Sequence, residues 1–210
     1  MKNSKVLKVL FIILIMIAIA VVSFGTTFAI LKRYQMVGKP YLFVNGESVS
    51  RLEYNYYFNS VYRSYVKDMG SILSYMNVDM DRDLFDQMHD DEKTFGEYFD
   101  ECTQELIKKN YALWEDGHQK GFSYDSKEDY KEYLKKVKET IGSMSLNEYF
   151  ETTYGPGANT KTLKRIFERD FYCTAYYNYL NSGMDKMKTN VDEAYFYTAD
   201  LVENYEITFP

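Results

Sequence analysis

Charged and apolar residues are spread unevenly along this chain. Residues 9–31 contain no ionisable side chain; Lys2, Lys5 and Lys8 precede them, and Lys32 and Arg33 close them. Twenty-three residues at helical rise span about 35 Å, enough to cross a hydrocarbon core of about 30 Å with some tilt. The pattern predicts a transmembrane helix within residues 1–33. A cleaved signal peptide is the alternative, with Thr27, Phe28 and Ala29 resembling a small-x-small site. The run is longer than the apolar stretch of about 7–15 residues usual in such peptides, and it ends in two basic residues, which favours an uncleaved anchor. Basic residues on both sides leave charge bias a weak guide to orientation. The short basic tail favours a single-pass signal-anchor in the cell membrane with the C-terminal part extracytoplasmic.

Beyond a linker at 34–40 the periods change. Tyr41, Leu42, Phe43 and Val44 read as a short strand, and Asn45-Gly46 is a tight-turn dipeptide that returns the chain through Ser48, Val49 and Ser50. Ser50-x-x-Glu53 has the form of a capping box and opens a helix over 51–69 that ends at Gly70. Its apolar residues Leu52, Tyr56, Phe58, Val61, Tyr62 and Tyr65 recur mostly at spacings of three and four. After an apolar piece at 72–78 and an acidic stretch at 79–92, Thr94-x-x-Glu97 opens a second helix to about residue 120. Its stripe is Phe95, Phe99, Cys102, Leu106 and Leu113, with Gly121 as its C′ stop. Ser126-x-x-Asp129 opens a third, largely solvated helix to about 141. Ser145-x-x-Glu148 opens a short fourth, which stops at Tyr154-Gly155. Thr160 is the expected cap of a fifth helix to about 180, and Asn190 of a sixth over 191–203; residues 205–210 alternate like a strand. The expected fold is therefore mainly α: an N-terminal transmembrane helix, then an irregular multi-helix domain over 41–210 with short β segments.

Charge narrows the partners. Five of the 25 Lys+Arg and none of the 31 Asp+Glu lie in residues 1–33, so the rest carries a net charge of −11. That argues against nucleic acid, which needs a basic footprint. The two cysteines, Cys102 and Cys173, are too few for a disulfide framework. They read as buried small hydrophobes, with a single bridge as the alternative. The 22 Tyr, 14 Phe and ten Met admit two readings: a helical core packed with Tyr in place of Leu, or an aromatic binding surface.

No chemistry-bearing motif is present. His89 and His118 are the two histidines, and neither has a zinc or HExxH spacing. There is no G-x-S-x-G, P-loop or G-x-G-x-x-G. Asp79, Asp81, Asp83 and Asp90 have the spacing of calcium-loop positions 1, 3, 5 and 12, but Leu84 stands where the loop needs Gly and Asp90 where it needs a bidentate Glu. They remain the weak metal candidate beside a solvated acidic loop. No cofactor and no catalytic residue is expected.

The run from Tyr41 through Val44, Asn45-Gly46 and Ser50 to Glu53 resembles the start of the SurA/PrsA-type extracytoplasmic chaperones, where a strand and a V-N-G turn lead into the first helix. Gln119-Lys-Gly121-Phe-Ser, Ser145-Leu-Asn-Glu148-Tyr-Phe and Tyr154-Gly155 resemble later steps of that family, and the likeness spans about 41–203. It implies a peptide-binding chaperone module for unfolded or nascent exported polypeptides, with Tyr56, Tyr57, Phe58, Tyr62 and Tyr65 as candidate peptide-binding residues. The parvulin isomerase domain usual in the family is not found before Pro210, so no isomerase activity carries over. Two alternatives stand beside this reading. One is a non-catalytic scaffold or interaction subunit of a cell-envelope complex. The other is the N-terminal part of a peptidyl-prolyl isomerase whose catalytic domain lies beyond residue 210.

Overall fold

A computed structural model describes residues 27–28, 30–70, 78–79, 81–183 and 193–210. The apolar run at 9–31 lies mostly outside these residues, as do most of the 72–78 piece and the Asn190 cap. Among the described residues no helix is long and apolar enough to cross a membrane. The described structure therefore supports neither the transmembrane helix as an element of the fold nor the single-pass membrane placement that rested on it. The physical reason is visible in each described helix: charged residues recur within every few turns, as Arg51, Glu53, Arg63, Lys67 and Asp68 do between 51 and 69.

The architecture is a mainly helical bundle carrying a three-stranded sheet. Strands β1 (Pro40–Val44) and β2 (Glu47–Ser50) form an antiparallel hairpin, pairing Leu42 with Val49 and Val44 with Glu47. Asn45 and Gly46 take φ of 48° and 84°, the left-handed pair that a two-residue hairpin turn demands. Strand β3 (Ile207–Thr208) joins the other edge of β1. The Asn45 side chain secures it by accepting from the Glu206 N–H at 2.8 Å and donating to the Asn204 carbonyl at 3.3 Å.

Among the described residues six α-helices follow: α1 (Arg51–Met69), α2 (Phe95–Gln119), α3 (Ser126–Thr140), α4 (Leu146–Tyr154), α5 (Lys164–Gly183) and α6 (Glu193–Glu203). Thr94 and Glu97 make the full reciprocal capping box of α2, with N–H to oxygen distances of 2.8 and 3.2 Å. Ser145 caps α4 by accepting from the Glu148 N–H at 3.2 Å. Two expected caps shift. Asp125, not Ser126, caps α3, accepting from the Lys127 N–H at 3.1 Å, while Asp129 accepts from the Tyr124 hydroxyl. Before α5, Asn159 takes the role expected of Thr160, accepting from the N–H groups of Lys161 and Thr162 at 2.9 and 3.1 Å. Asx side chains turn back on the backbone two residues ahead more readily than a hydroxyl does, so the nearer Asp or Asn wins each competition.

Ser50 caps α1, but the expected box is only half made. Glu53 does not reach back to the Ser50 backbone. It turns inward, accepting from Arg169 of α5 at 2.8 Å and from the Tyr111 hydroxyl of α2 at 3.1 Å. Arg169 also stacks over the Tyr111 ring, 4.2 Å from its centroid. Glu53 and Arg169 are buried, at 8% and 5% exposure. Burial pushes the Glu53 carboxyl up, against the lowering effects of Arg169 and Tyr111. Burial works against the Arg169 charge too, but the carboxylate and the neighbouring tyrosines outweigh it and hold the guanidinium protonated.

The tyrosines divide, and many are core. Tyr54, Tyr56, Tyr57, Tyr111, Tyr130, Tyr154, Tyr172 and Tyr176 are buried. A buried hydroxyl needs a partner. Tyr56 donates to Asp170 at 2.7 Å, Tyr176 to Asp116 at 2.6 Å, Tyr130 to the Thr160 carbonyl at 2.6 Å, and Tyr54 to Asp100. Where α2 meets α5, Gly117 makes room for these rings: a Cβ there would stand 2.7 Å from the Tyr172 hydroxyl.

The buried pair gives a direct test. Arg169→Leu leaves the buried Glu53 carboxylate without its countercharge and should cost about 3–5 kcal/mol of unfolding free energy. Adding Glu53→Met should restore most of that loss. Urea unfolding followed by Trp114 fluorescence measures both; a loss below about 1 kcal/mol for Arg169→Leu contradicts the assignment.

Candidate functional site

The C-terminal half of α1 carries two parallel rows at helical spacing. Val61, Tyr65 and Met69 form one, and Ser60, Ser64 and Asp68 form the other. Both rows line an open groove of about 820 Å³, completed by Tyr98 and Leu106 of α2 and by His89 from the loop before it. The groove lies on an aromatic cluster. Phe95 and Phe99 are its buried centre, and Phe58, Tyr62, Tyr65, Phe85 and Tyr98 pack around them. Tyr65 stands edge-on to Phe99 and Tyr98, with centroids 5.2 and 5.8 Å apart, and His89 stacks flat on Tyr98 at 4.0 Å. The Tyr65 hydroxyl is buried without a hydrogen-bond partner among the described residues, and burial pushes its pKa up.

The acidic stretch 79–92 builds one wall of this cluster. Gln87 is its hub: it accepts from the Asp79 N–H at 2.7 Å and donates to the carbonyls of Asp79 and Asp83 at 2.8 and 3.2 Å. Each aspartate of the expected calcium pattern except Asp81 is spent on a local turn. Asp79 accepts from the Asp81 N–H at 3.0 Å, and Asp83 from the Phe85 N–H at 2.9 Å. Asp90 accepts from the N–H groups of Glu92 and Lys93 at 2.9 and 3.0 Å and meets His89 Nδ1 at 3.1 Å. The Glu92 N–H and then His89 hold the Asp90 carboxyl down at about 2. Asp79, Asp81, Asp83 and Asp90 therefore do not converge on a cation, and among the described residues no cluster of three His, Cys, Asp or Glu could hold a metal. The loop serves instead to seat Leu84, Phe85 and His89 on the aromatic cluster.

The five expected peptide-binding residues separate along α1. Tyr56 and Tyr57 are core, at 5% and 0% exposure, and cannot meet a ligand. Tyr56 packs on Phe167 and Tyr154 and is tied to Asp170; Tyr57 is sealed beside it. Phe58 and Tyr62 are half-buried supports of the cluster, and Tyr65 lines the groove itself. Met69, Tyr98, His89 and Leu106 were not expected there. The spacing of Val61, Tyr65 and Met69 could have indicated the α1 face, but nothing local brings Tyr98 beside it.

No family model, curated protein or solved structure matches the chain.

Neither cysteine forms a disulfide. The Cys173 thiol is buried and donates to the Asn110 carbonyl at 3.1 Å, and burial pushes its pKa up; Cys102 is partly exposed. Iodoacetamide should therefore label Cys102 in the native chain and both thiols only after unfolding. Mass spectrometry of tryptic fragments reads the result, and equal native labelling of both contradicts the burial of Cys173.

Proposed function

We propose that this chain is a non-catalytic chaperone-type module that holds apolar segments of unfolded polypeptides. The observation that carries this reading is the open groove lined by Val61, Tyr65, Met69, Tyr98 and Leu106. Met and aromatic side chains give adaptable apolar contact without a fixed pattern of hydrogen bonds, which suits varied clients. The Ser60, Ser64 and Asp68 row along the same groove offers polar groups to a client backbone. The likeness of the 41–53 segment to the SurA/PrsA-type chaperones points the same way, but the reading rests on the groove, since no family model accompanies that likeness.

The full chain at equimolar ratio should suppress the light scattering of a reduced, unfolded test protein. Met69→Lys puts a charge at the groove, and Tyr98→Ala removes a ring from it. Each should weaken client binding about 5–10-fold, the effect of roughly 1–1.4 kcal/mol of lost apolar contact. Lys135→Ala, on the exposed face of α3, should change nothing. Absence of suppression, or suppression untouched by both groove variants, contradicts the proposal. Recovery of a single stable partner in place of unfolded clients would instead favour an interaction subunit.

A further inference from the structure

At the other end of α1 a second, polar cleft opens, with a volume of about 580 Å³. Its walls come from the 37–40 segment, β2, the first turn of α1, Tyr111 of α2 and the start of α5, and it shares no lining residue with the groove. The charged residues that line it are Lys39, Arg165 and Arg169 against Glu47 and Glu53. Arg169 and Glu53 neutralise one another at 2.8 Å. The Arg169 Nε is nevertheless buried without a hydrogen-bond partner among the described residues.

Of the rest, Lys39 and Arg165 are exposed cations that form no ion pair among the described residues. Glu47 is a single exposed carboxylate. The cleft thus keeps one uncompensated positive charge in a chain whose part beyond residue 33 carries −11. Some lysines elsewhere are matched by acids on their own helix, as Lys131 is by Glu128 at 2.6 Å and Lys136 by Glu132 at 2.7 Å. The N-terminal end of α1, whose dipole favours negative charge, faces the same space.

We propose that this cleft binds a carboxylate, held by the Arg165 guanidinium and the Lys39 ammonium at the start of α1. A guanidinium fork matches the two oxygens of a carboxylate. The single surplus charge selects a monoanion, because a phosphate dianion would add a second negative charge facing Glu47 and Glu53. The ligand is either the α-carboxylate of a peptide or a small free carboxylic acid.

Calorimetric titration of the full chain with N-acetyl-alanyl-alanine, its C-terminal amide, propionate and inorganic phosphate tests this. The peptide acid should bind at least about tenfold more tightly than its amide, and raised salt should weaken it. Arg165→Ala and Lys39→Ala should each weaken the acid about 5–10-fold with unchanged melting temperature, since both side chains are exposed. Propionate binding as tightly as the peptide acid assigns a small acid; binding of the peptide acid alone assigns a chain terminus; both support the site. Equal binding of acid and amide, tighter binding of phosphate, no binding by either acid, or insensitivity to both substitutions overturns it.

Discussion

Three helices of this molecule meet at one ion pair. Glu53 on α1, Arg169 on α5 and Tyr111 on α2 are buried together, with Arg169 bonded to the carboxylate at 2.8 Å and stacked on the Tyr111 ring. Such a pair adds little net stability over apolar residues of the same size, but it penalises any arrangement that leaves one partner alone. A shift of α1 against α2 or α5 would strand a charge in the core. The pair thereby sets where the far half of α1 lies against α2, and that is where Tyr65 and Met69 meet Tyr98 and Leu106.

The tyrosine-rich core imposes a second constraint. Leu in these positions would need only space; Tyr needs an acceptor for each hydroxyl. Asp116 serves Tyr176 and Tyr197, at 2.6 and 2.8 Å, Asp170 serves Tyr56, Asp100 serves Tyr54, and Glu115 serves Tyr205 at 2.5 Å. Part of the acidic excess is therefore structural, holding rings in place between helices. Tyr57 and Tyr65 are exceptions: neither buried hydroxyl has a hydrogen-bond partner among the described residues.

What was legible in the sequence was local. The Asn45-Gly46 turn, the Thr94–Glu97 and Ser145–Glu148 starts and the Gly155 stop depend on a few consecutive residues, and the structure realises them. What was not legible depends on distant partners. Glu53 follows a capping rule from the sequence side, but Arg169, 116 positions away, draws it inward. Tyr56 and Tyr57 look no different from Tyr65 along α1; only the packing of α4 and α5 over that half of the helix makes them core. Asp79, Asp83 and Asp90 imitate a calcium spacing because turns and ion sites use the same side-chain oxygens. The 9–31 run predicted a membrane span from hydropathy alone, and no described helix provides one.

The central claim is that the face shared by the end of α1 and the start of α2 holds unfolded chains. Hydrogen–deuterium exchange of the full chain, with and without a reduced, unfolded test protein, examines it most directly. The account predicts slowed exchange in peptides covering 60–69 and 95–106, with α3 unchanged. Protection confined to α3, or no protection anywhere at saturating client, would contradict it.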